Sequence, residues 1–458
     1  MNNALKATAF AAFLACVVIA GQTSSAQPQP RSESAQRVTE QRPIGAVSAI
    51  ELAGPYHVVI QARGAQPGLQ LSGERKQLDD VETVVRGDTL LVRPRSQGRN
   101  SLSFNLSFNG RQHEPVTIRI VAPALKKLTA SGSGDVELDQ VQGEQFNIAG
   151  NGAGDLRASG SVRRLTASTR GSGDLDLHLL QAVDAEVSLT SAGDVRLAGI
   201  GNTLSADLGG SGSLRADDLR AGLVTARMHG AGDLSLSGSS RELRLEASGS
   251  GDFDGCRLAV ESLRSVQNGA GNACVGGTIR SVDATVGGSG DLEARGLQAQ
   301  AARLRMTGPG NVVLAGSAGE LNVEMTGSGD LDAGRLQAGK ATIMSTGPGG
   351  ATLAGVSDTL EAELRGSGDL TASIRGGKRL RLDMDGPGDA HVDGSVAQVM
   401  ARLTGSGSLE GRRLQAGLAD ITVRGAGTAT VHVENAVQGK DHGRVLLVDR
   451  SGTHPANE

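Results

Sequence analysis

The segment Gly-Ser-Gly-Asp-Val at residues 132–136 recurs with small changes through most of the chain. Its G-x-G tripeptide occurs sixteen times in one register, and successive copies in it are separated by 20, 19, 20 and 19 residues without a slip. A fixed period in this range is typical of stacked repeats, each of which buries its apolar face against its neighbours. The repeat therefore predicts a solenoid. The third residues of the copies are Gly134, Gly154, Gly173, Gly193, Gly212, Gly232, Gly251, Gly271, Gly290, Gly310, Gly329, Gly349, Gly368, Gly388, Gly407 and Gly427.

Apolar and polar residues alternate on both sides of each glycine turn. The stretch from Leu165 to Leu177 reads Leu-Thr-Ala-Ser-Thr-Arg-Gly-Ser-Gly-Asp-Leu-Asp-Leu, which has the period of a half-buried strand. A helix is excluded, because each interior glycine costs a helix about 1 kcal/mol relative to alanine. The predicted fold is all-β, a parallel β-helix that general crossover preference makes right-handed. We expect glycine at the corners, as at Gly173, because the turn needs a positive φ.

Turns with Ser between the glycines alternate with turns that have Ala or Pro there, so the complete unit has 39 residues and repeats eight times. Two arrangements fit this double repeat: two coils of ~20 residues each, or one wide coil of all 39. We favour the smaller coil because it is the more usual size. A Leu-Gln-Ala triplet follows several Ser turns, at Leu180-Gln181-Ala182, Leu297-Gln298-Ala299, Leu336-Gln337-Ala338 and Leu414-Gln415-Ala416.

The first 26 residues have the features of a signal peptide. Lys6 precedes an apolar run from Ala7 to Ala20, and small residues at positions 24–26 suit cleavage after Ala26. The run is too short to span a membrane, and no later stretch approaches the ~20 apolar residues that a transmembrane helix needs. We therefore expect export to the periplasm or the cell surface, with lipidation at Cys16 as the alternative.

Three segments surround the repeat domain, which we place at residues 129–433. Residues 27–43 are rich in Gln, Ser, Arg and Pro and predict a disordered linker. Residues 44–128 alternate apolar and polar residues outside the repeat, including a strand from Ser101 to Phe108, and predict a β cap over the N-terminal end of the solenoid. Residues 434–458 are expected to form one strand and a polar tail.

Composition restricts the partners of the chain. The formal net charge is −4, or −5 once Lys6 is removed with the signal peptide. This charge favours neither nucleic acid nor an anionic membrane surface. With 67 Gly, one Tyr and no Trp, the core must be built from Leu, Val, Ile and Ala, and the surface lacks the aromatic platforms that line glycan clefts.

Two motifs together resemble the GIN domain family, whose members are described as head domains of autotransporter adhesins. They are the iterated Gly-Ser-Gly-Asp turns and the preceding Pro-x-Leu-x-x-Leu from Pro123 to Leu128, which follow an N-terminal β segment. The resemblance covers about Ile44 to Val433. It implies a β-helical exported protein without an established activity.

Asp follows the second glycine in most copies and would lie in register from coil to coil. Carboxylates ~5 Å apart repel one another unless a cation or hydrogen bonds compensate. Calcium is one interpretation, but the calcium-binding nonapeptide repeat has less than half this period, and Ser, Asn, Gly or Thr replaces Asp in six copies. We favour hydrogen bonds from nearby backbone that close the turn, and we predict no metal or cofactor site. The column consists of Asp135, Asp155, Asp174, Asp194, Asp233, Asp252, Asp291, Asp330, Asp369 and Asp389.

Catalysis is an alternative to binding, because parallel β-helices include polysaccharide lyases and hydrolases. A catalytic site would be a local break in the repeat, in a groove whose charged residues do not recur. No catalytic residue is predicted, since the chain has no nucleophile elbow, phosphate loop or H-E-x-x-H motif. Its eight histidines form no pair with metal-ligand spacing: His57, His113, His178, His229, His391, His432, His442 and His454.

Only Cys256 and Cys274 remain after signal cleavage, and an exported pair suggests a disulfide. On adjacent coils the two are offset by two residues, so their Cα atoms should lie about 8 Å apart. That distance exceeds the usual limit of ~7 Å for a disulfide. A bond with local bending and two free thiols are both left open.

The sequence favours an exported, non-enzymatic, adhesin-like or envelope interaction module. Its partner would be a glycan or an envelope protein, held by weak contacts that repeat from coil to coil and add through effective concentration. Two alternatives remain: a polysaccharide-active enzyme, and a scaffold without a ligand.

Overall fold

A computed structural model describes residues 37–95, 115–434, 444–449 and 452–455. The predicted signal peptide with Cys16, and the strand predicted from Ser101 to Phe108, lie outside these residues. The described strands form one continuous sheet. In chain order the elements are β1 (Arg37–Arg42), β2 (Ala49–Leu52), β3 (His57–Gln61), β4 (Gly68–Glu74), α1 (Arg75–Asp79), β5 (Val81–Arg86), β6 (Thr89–Pro94), β7 (Thr117–Val121), β8 (Lys127–Ala130), β9 (Val136–Gly150), β10 (Leu156–Thr169), β11 (Leu175–Leu189), β12 (Val195–Ala198), β13 (Ile200–Leu208), β14 (Leu214–Met228), β15 (Leu234–Ala247), β16 (Phe253–Gln267), β17 (Ala273–Gly276), β18 (Ile279–Val286), β19 (Leu292–Met306), β20 (Val312–Met325), β21 (Leu331–Ser345), β22 (Ala351–Leu364), β23 (Leu370–Met384), β24 (Ala390–Leu403), β25 (Leu409–Val423), β26 (Ala429–Val433), β27 (Arg444–Asp449) and β28 (Gly452–Pro455).

One coil of the solenoid takes about 20 residues. β10 lies between β9 and β11, parallel to both, with Leu156 opposite Val136 on one side and Leu175 on the other. These offsets, 156 − 136 = 20 and 175 − 156 = 19, equal the spacings of the glycine turns. The predicted all-β solenoid with parallel strands and ~20-residue coils is confirmed, and the wide 39-residue coil is wrong.

The 39-residue unit is a pair of coils that differ by one residue at a single corner. Ala158 lies opposite Leu138 and Gly160 opposite Val141, so the longer coil has one more residue between them. Gln140 accommodates this residue at φ 62°, whereas the shorter coil turns at Gly160 with φ 140°. A glycine with positive φ recurs at this corner of the shorter coils, at Gly160, Gly199, Gly238, Gly277, Gly316 and Gly394.

Each coil has three faces, which we define on β10. The first face is residues 156–158, the second is residues 160–162 and the third is residues 165–169. Leu156, Val162 and Leu165 are at most 4% exposed, and their equivalents in the other coils continue the same interior columns. Burial of an aliphatic side chain contributes about 1.5–3 kcal/mol, so the array is stabilised mainly along these columns.

The glycine turns stack directly on one another. A Cβ atom on Gly173 would lie 2.1 Å from the carbonyl oxygen of Gly154, and one on Gly154 would lie 2.2 Å from that of Gly134. Such distances are shorter than a Cβ atom can tolerate. Gly173 does not have a positive φ, so the conformational reason expected from the sequence is wrong. Glycine is required at these turns because the next backbone occupies the place of a side chain.

The N-terminal end of the solenoid is covered by antiparallel strands. β2 lies between β6 and β8, and β3 lies between β7 and β9, all in parallel. Beyond them β5 pairs with β6, β4 with β7 and β1 with β4, each pair antiparallel. The short helix α1, absent from the sequence prediction, contributes the fully buried Leu78. These elements cover the edge that a parallel array would otherwise expose.

Strand β1 corrects the predicted linker at residues 27–43. Arg42 donates hydrogen bonds to the carbonyl oxygens of Leu78 and Val81, at 3.1 and 2.8 Å, and its Nε donates to Glu40 at 2.9 Å. The side chains of β1 are alternately exposed and half-buried. The strand is held by these contacts, by its ladder with β4 and by Val38, which packs against the core, and composition alone does not reveal it.

At the C-terminal end, β26 pairs antiparallel with β27, and β27 pairs antiparallel with β28. Val448 of β27 is buried. The sequence predicted one strand in this segment, and the structure has two. They end the parallel array by reversing the direction of the chain.

Gly173→Ala should destabilise the solenoid by about 1–3 kcal/mol, the usual cost of overpacking, because its Cβ would overlap the carbonyl of Gly154. The measurement is the midpoint of thermal unfolding followed by circular dichroism. Gly150→Ala is the matched control, since a Cβ there meets no atom within 4 Å. Equal midpoints for the two variants would contradict the stacking argument.

Candidate binding surface on the second face

The aspartate column forms a ladder of hydrogen bonds between coils. The backbone N–H of Asp155 donates to Oδ1 of Asp135 at 3.0 Å, that of Asp174 to Asp155 at 3.0 Å, and that of Asp194 to Asp174 at 2.9 Å. Asn272 and Asn311 accept in the same way. The side chain thus binds backbone, as we favoured, but it joins successive turns rather than closing its own.

Serines that replace Asp in the aspartate column also accept hydrogen bonds from backbone N–H groups of the next coil. Ser213 and Ser408 accept through their hydroxyl oxygens, from the N–H groups of Asp233 and Thr428 at 3.4 and 3.2 Å. Gly350 has no side chain with which to accept from Asp369. Among the described residues, no group of three or more His, Cys, Asp or Glu side chains is arranged to hold a metal ion.

Gly350→Asn should stabilise the protein by about 0.5–1.5 kcal/mol, because it supplies an acceptor for the N–H of Asp369. The site has room for it, since the nearest atom to a Cβ at Gly350 is 3.4 Å away. Gly350→Ala is the control, because it removes glycine flexibility without adding an acceptor. The prediction is wrong if the urea midpoints of the two variants coincide.

Three histidines of the repeats form exposed pairs with single carboxylates. Nδ1 of His178 lies 2.5 Å from Oδ1 of Asp176, and Nδ1 of His229 lies 3.3 Å from Oδ1 of Asp207. Nε2 of His391 lies 2.7 Å from Oε2 of Glu410. Burial opposes ionisation of Asp176, but hydrogen bonds from the ring and backbone N–H of His178 outweigh it and hold the pKa of Asp176 below its ordinary value. The histidines are more than half exposed and lie apart from one another.

Cys256 and Cys274 form a disulfide that joins two successive coils, with Cα atoms 5.1 Å apart. The distance of about 8 Å expected from straight strands is wrong. Asp254 does lie opposite Cys274, as the two-residue offset requires, but the ladder shifts after Gly255. The chain bends at this corner, and the bend brings the two cysteines together.

The Leu-Gln-Ala triplets lie on the second face. Leu180 and Ala182 point into the core, and Gln181 between them is exposed. In the neighbouring short coil Ser161 lies opposite Gln181, so Gln and Ser alternate along the outside of this face. We call this array the Gln/Ser column; it comprises Gln142, Ser161 and Gln181, then Gln298, Ser317 and Gln337, and finally Ser395 and Gln415.

Corner glycines make room for the glutamines of this column. A Cβ on Gly355 would lie 2.4 Å from Oε1 of Gln337, and one on Gly199 would lie 3.4 Å from Cγ of Gln181. The longer coil's side chain therefore lies over the backbone of the shorter coil. The contact is present for these two glutamines, whose side chains extend along the solenoid axis.

The column is interrupted between Gln337 and Ser395, where the repeat spacing puts Val356 and Gly376 at its positions, and in the middle of the array by a concavity. Two coils nearby are each split into two strands, β12 with β13 at Gly199, and β17 with β18 at residues 277–278. Between these breaks the second face has a concavity of about 550 Å³. Its polar lining consists of Asn202, Arg220, Ser239, Ser240, Arg241, Glu261, Thr278 and Arg280. We call it the arginine concavity.

Positive charge exceeds negative charge in this lining. Arg280 forms an ion pair with Glu261 at 3.2 Å. No ion pair of the described residues involves Arg220 or Arg241. The three arginines and one glutamate leave a net charge of 3 − 1 = +2.

Glycine also shapes the concavity. Nη2 of Arg241 lies only 2.9 Å from the place that a Cβ on Gly222 would occupy, so the guanidinium folds over Gly222. Beside it Asn202 donates through Nδ2 to Asp184 at 2.8 Å. Hydrogen bonds from Thr203 and Asn202 hold the pKa of Asp184 below its ordinary value. The aspartate is thereby kept charged and anchors the amide of Asn202.

Sequence reasoning missed these arginines, although one signal was present. Leu219-Arg220-Ala221 takes the place of Leu-Gln-Ala, with a charge where the column otherwise has a neutral side chain. The concavity holds one carboxylate, which is already paired, and its lining contains no His, Cys or Lys. Such a set is suited to binding rather than to acid–base or nucleophilic chemistry.

The fold and this surface together define a β-solenoid whose outer faces, rather than a deep cleft, are open to a ligand. The family model of the "Putative auto-transporter adhesin, head GIN domain" matches residues 47–239, 229–315, 297–376 and 356–445. The chain belongs to this family, which confirms the resemblance seen in the turns.

Several solved structures are similar to this chain. A putative adhesin from Bacteroides fragilis NCTC 9343 is 15% identical, with 65% of this chain and 97% of that chain covered and a TM-score of 0.25. A putative adhesin from Parabacteroides distasonis ATCC 8503 is 14% identical, with 65% and 97% covered and a TM-score of 0.32. A putative lipid binding protein from the same strain is 15% identical, with 72% and 97% covered and a TM-score of 0.27.

No curated protein matches the chain. Among the described residues, no helix has both the length and the apolar character needed to cross a membrane.

Proposed function

We propose that this protein is an exported, non-enzymatic interaction module that binds a glycan of the cell envelope along its second face. The observation that carries the proposal is the Gln/Ser column. Ser161 lies in register with Gln142 and Gln181, and Ser317 with Gln298 and Gln337, so exposed amides and hydroxyls follow one another along the axis.

The spacing of the column suits a linear polymer. Adjacent coils lie ~4.8 Å apart, so glutamines two coils apart recur at ~10 Å. Each amide offers two N–H donors and a carbonyl acceptor, which complement sugar hydroxyls. Single contacts of this kind are weak, but contacts on one rigid array add through effective concentration.

Two further observations support export and binding. The disulfide between Cys256 and Cys274 is of the kind that persists in oxidising compartments outside the cytosol. Family membership also favours an adhesin-like role. A polysaccharide-active enzyme is the weaker alternative, because the arginine concavity lacks an unpaired carboxylate. A scaffold without a ligand would have no need of exposed amides in register from coil to coil.

The double variant Gln298→Ala and Gln337→Ala should weaken binding to a glycan identified on an array by at least fivefold, because it removes two contacts of one ligand chain. The measurement is surface plasmon resonance with the full chain in solution. Asn322→Ala with Thr342→Ala is the control, since these polar residues lie on the third face of β20 and β21, the coil between the two glutamines and the coil of Gln337. Binding lost equally in both variants, or no glycan bound by the wild type, would contradict the proposal.

Export should produce a chain that begins at Gln27. Cells that express the full sequence are fractionated, and the amino terminus of the protein is determined in the cytosolic, periplasmic and surface fractions. Lys6→Glu is the comparison, because loss of the positive charge before the apolar run should cause the precursor to accumulate. An uncleaved chain confined to the cytosol would rule out the proposed location.

A further inference from the structure

The arginine concavity is the place where the second face departs most from its repeat. Arg220 occupies the register position of the column, opposite Ser239, but carries a positive charge. Arg241 and Arg280 follow from the next coils along the axis. Arg241 and Arg280 share their position in the 39-residue unit with Arg163, so the local break in the repeat is Arg220. A charge at this one register position is what distinguishes the concavity from the uniform repeat surface.

The arginines differ in how far they are available to a ligand. Arg280 is paired with Glu261 at 3.2 Å, whereas Arg220 and Arg241 take part in no ion pair of the described residues. Two guanidinium groups without a carboxylate partner thus line the same concavity. An anion bound there would accept hydrogen bonds from both.

Gly222 leaves room for the side chain of Arg241. The guanidinium lies over Gly222, in space that any larger residue would fill, and Asn202 lines the same concavity. Asn202 is anchored by its hydrogen bond to Asp184. Arg241 is exposed, so its N–H donors are open to a ligand.

The disulfide stabilises the opposite side of the concavity. Cys256 and Cys274 join β16 to β17, just before the segments that supply Glu261 and Arg280. The strand break at residues 277–278 lies between Cys274 and Arg280. The cross-link therefore ties together two coils at a point where the strand ladder is interrupted.

Carboxylate is the anion that suits these groups best, because a planar guanidinium binds it through two parallel hydrogen bonds. The rest of the lining favours a saccharide as its carrier. Ser239 and Asn202 are neutral hydrogen-bonding groups, and the Gln/Ser column continues on the same face both before and after the concavity. A lipid is disfavoured, since Val260 and Ala221 of the lining are buried in the solenoid core.

We propose that the arginine concavity binds an acidic sugar unit, with the sugar's carboxylate between Arg220 and Arg241, within a glycan chain that lies along the second face. This assignment rests on the proposed function and specifies its ligand as a carboxylated polysaccharide. The concavity selects the charged unit, and the neutral column on either side holds the flanking sugars.

The test measures binding of the full chain to oligogalacturonate by isothermal titration calorimetry. Neutral galacto-oligosaccharide, dextran sulfate and phosphatidylglycerol vesicles serve as comparison ligands. Arg220→Gln and Arg241→Gln should each weaken oligogalacturonate binding at least tenfold. Gly222→Ala should weaken it several-fold without a change in charge, because the new Cβ displaces the guanidinium of Arg241. Added salt should weaken wild-type binding more than binding by either arginine variant.

The matched control is Arg264→Gln, which removes the same charge from the third face and should leave binding unchanged. An equal loss in this variant would reduce the effect to general charge and overturn the assignment. So would the absence of oligogalacturonate binding, tighter binding of dextran sulfate, or a preference for the vesicles. If the glutamine variants of the column weaken glycan binding and the arginine variants do not, the proposed function stands and the acidic-sugar site is wrong.

Discussion

The close stacking of the glycine turns is the constraint on which the rest of the structure depends. With the carbonyl of Gly154 only 2.1 Å from the position of a Cβ on Gly173, the coils can approach to sheet distance at this edge only without side chains. That approach brings each aspartate within reach of the next backbone N–H and each interior Leu or Val against its equivalent above and below. The ladder and the core are both consequences of the same spacing.

The spacing also determines what kind of surface the protein can offer. A coil contributes few outward residues to each face, so a binding site must be assembled from several coils, as the arginine concavity is from residues between Asn202 and Arg280. The concavity owes its depth to a missing side chain rather than to an inserted loop. Gly222 lacks the side chain that would fill the floor, and Arg241 uses the space. The solenoid thus acquires a specific position between two breaks in its strands, β12 with β13 and β17 with β18.

Much of the fold could be predicted because the same spacing and the same apolar pattern recur in every copy of the repeat. The 20 and 19 spacing predicts coil size, and the apolar residue after each Asp predicts which side faces the core. The structural details that the sequence did not predict depend on how the chain bends at the corners of a coil. The bend after Gly255 brings Cys256 to Cys274, and straight-strand geometry does not contain it.

The candidate site was harder to predict than the fold for a related reason. Arg220 is recognisable in the sequence as a substitution within Leu-Gln-Ala, but its proximity to Arg241 and Asn202 depends on register across three coils. Strand β1 was missed because Val38 is its one aliphatic residue, and the strand is held largely by its pairing with β4 and by the hydrogen bonds of Arg42. Polar contacts between distant segments have no periodic signature in the sequence.

The one-residue difference between neighbouring coils has a consequence for how the array can change in length. Each long corner, such as that at Gln140, lies against a short corner closed by a glycine, such as Gly160. Gain or loss of a single coil would place two long corners or two short corners together and leave a mismatch in the ladder. Gain or loss of a pair preserves every contact. Natural variants of this protein should therefore differ in length by multiples of 39 residues, and the pair of coils is the heritable unit of the fold.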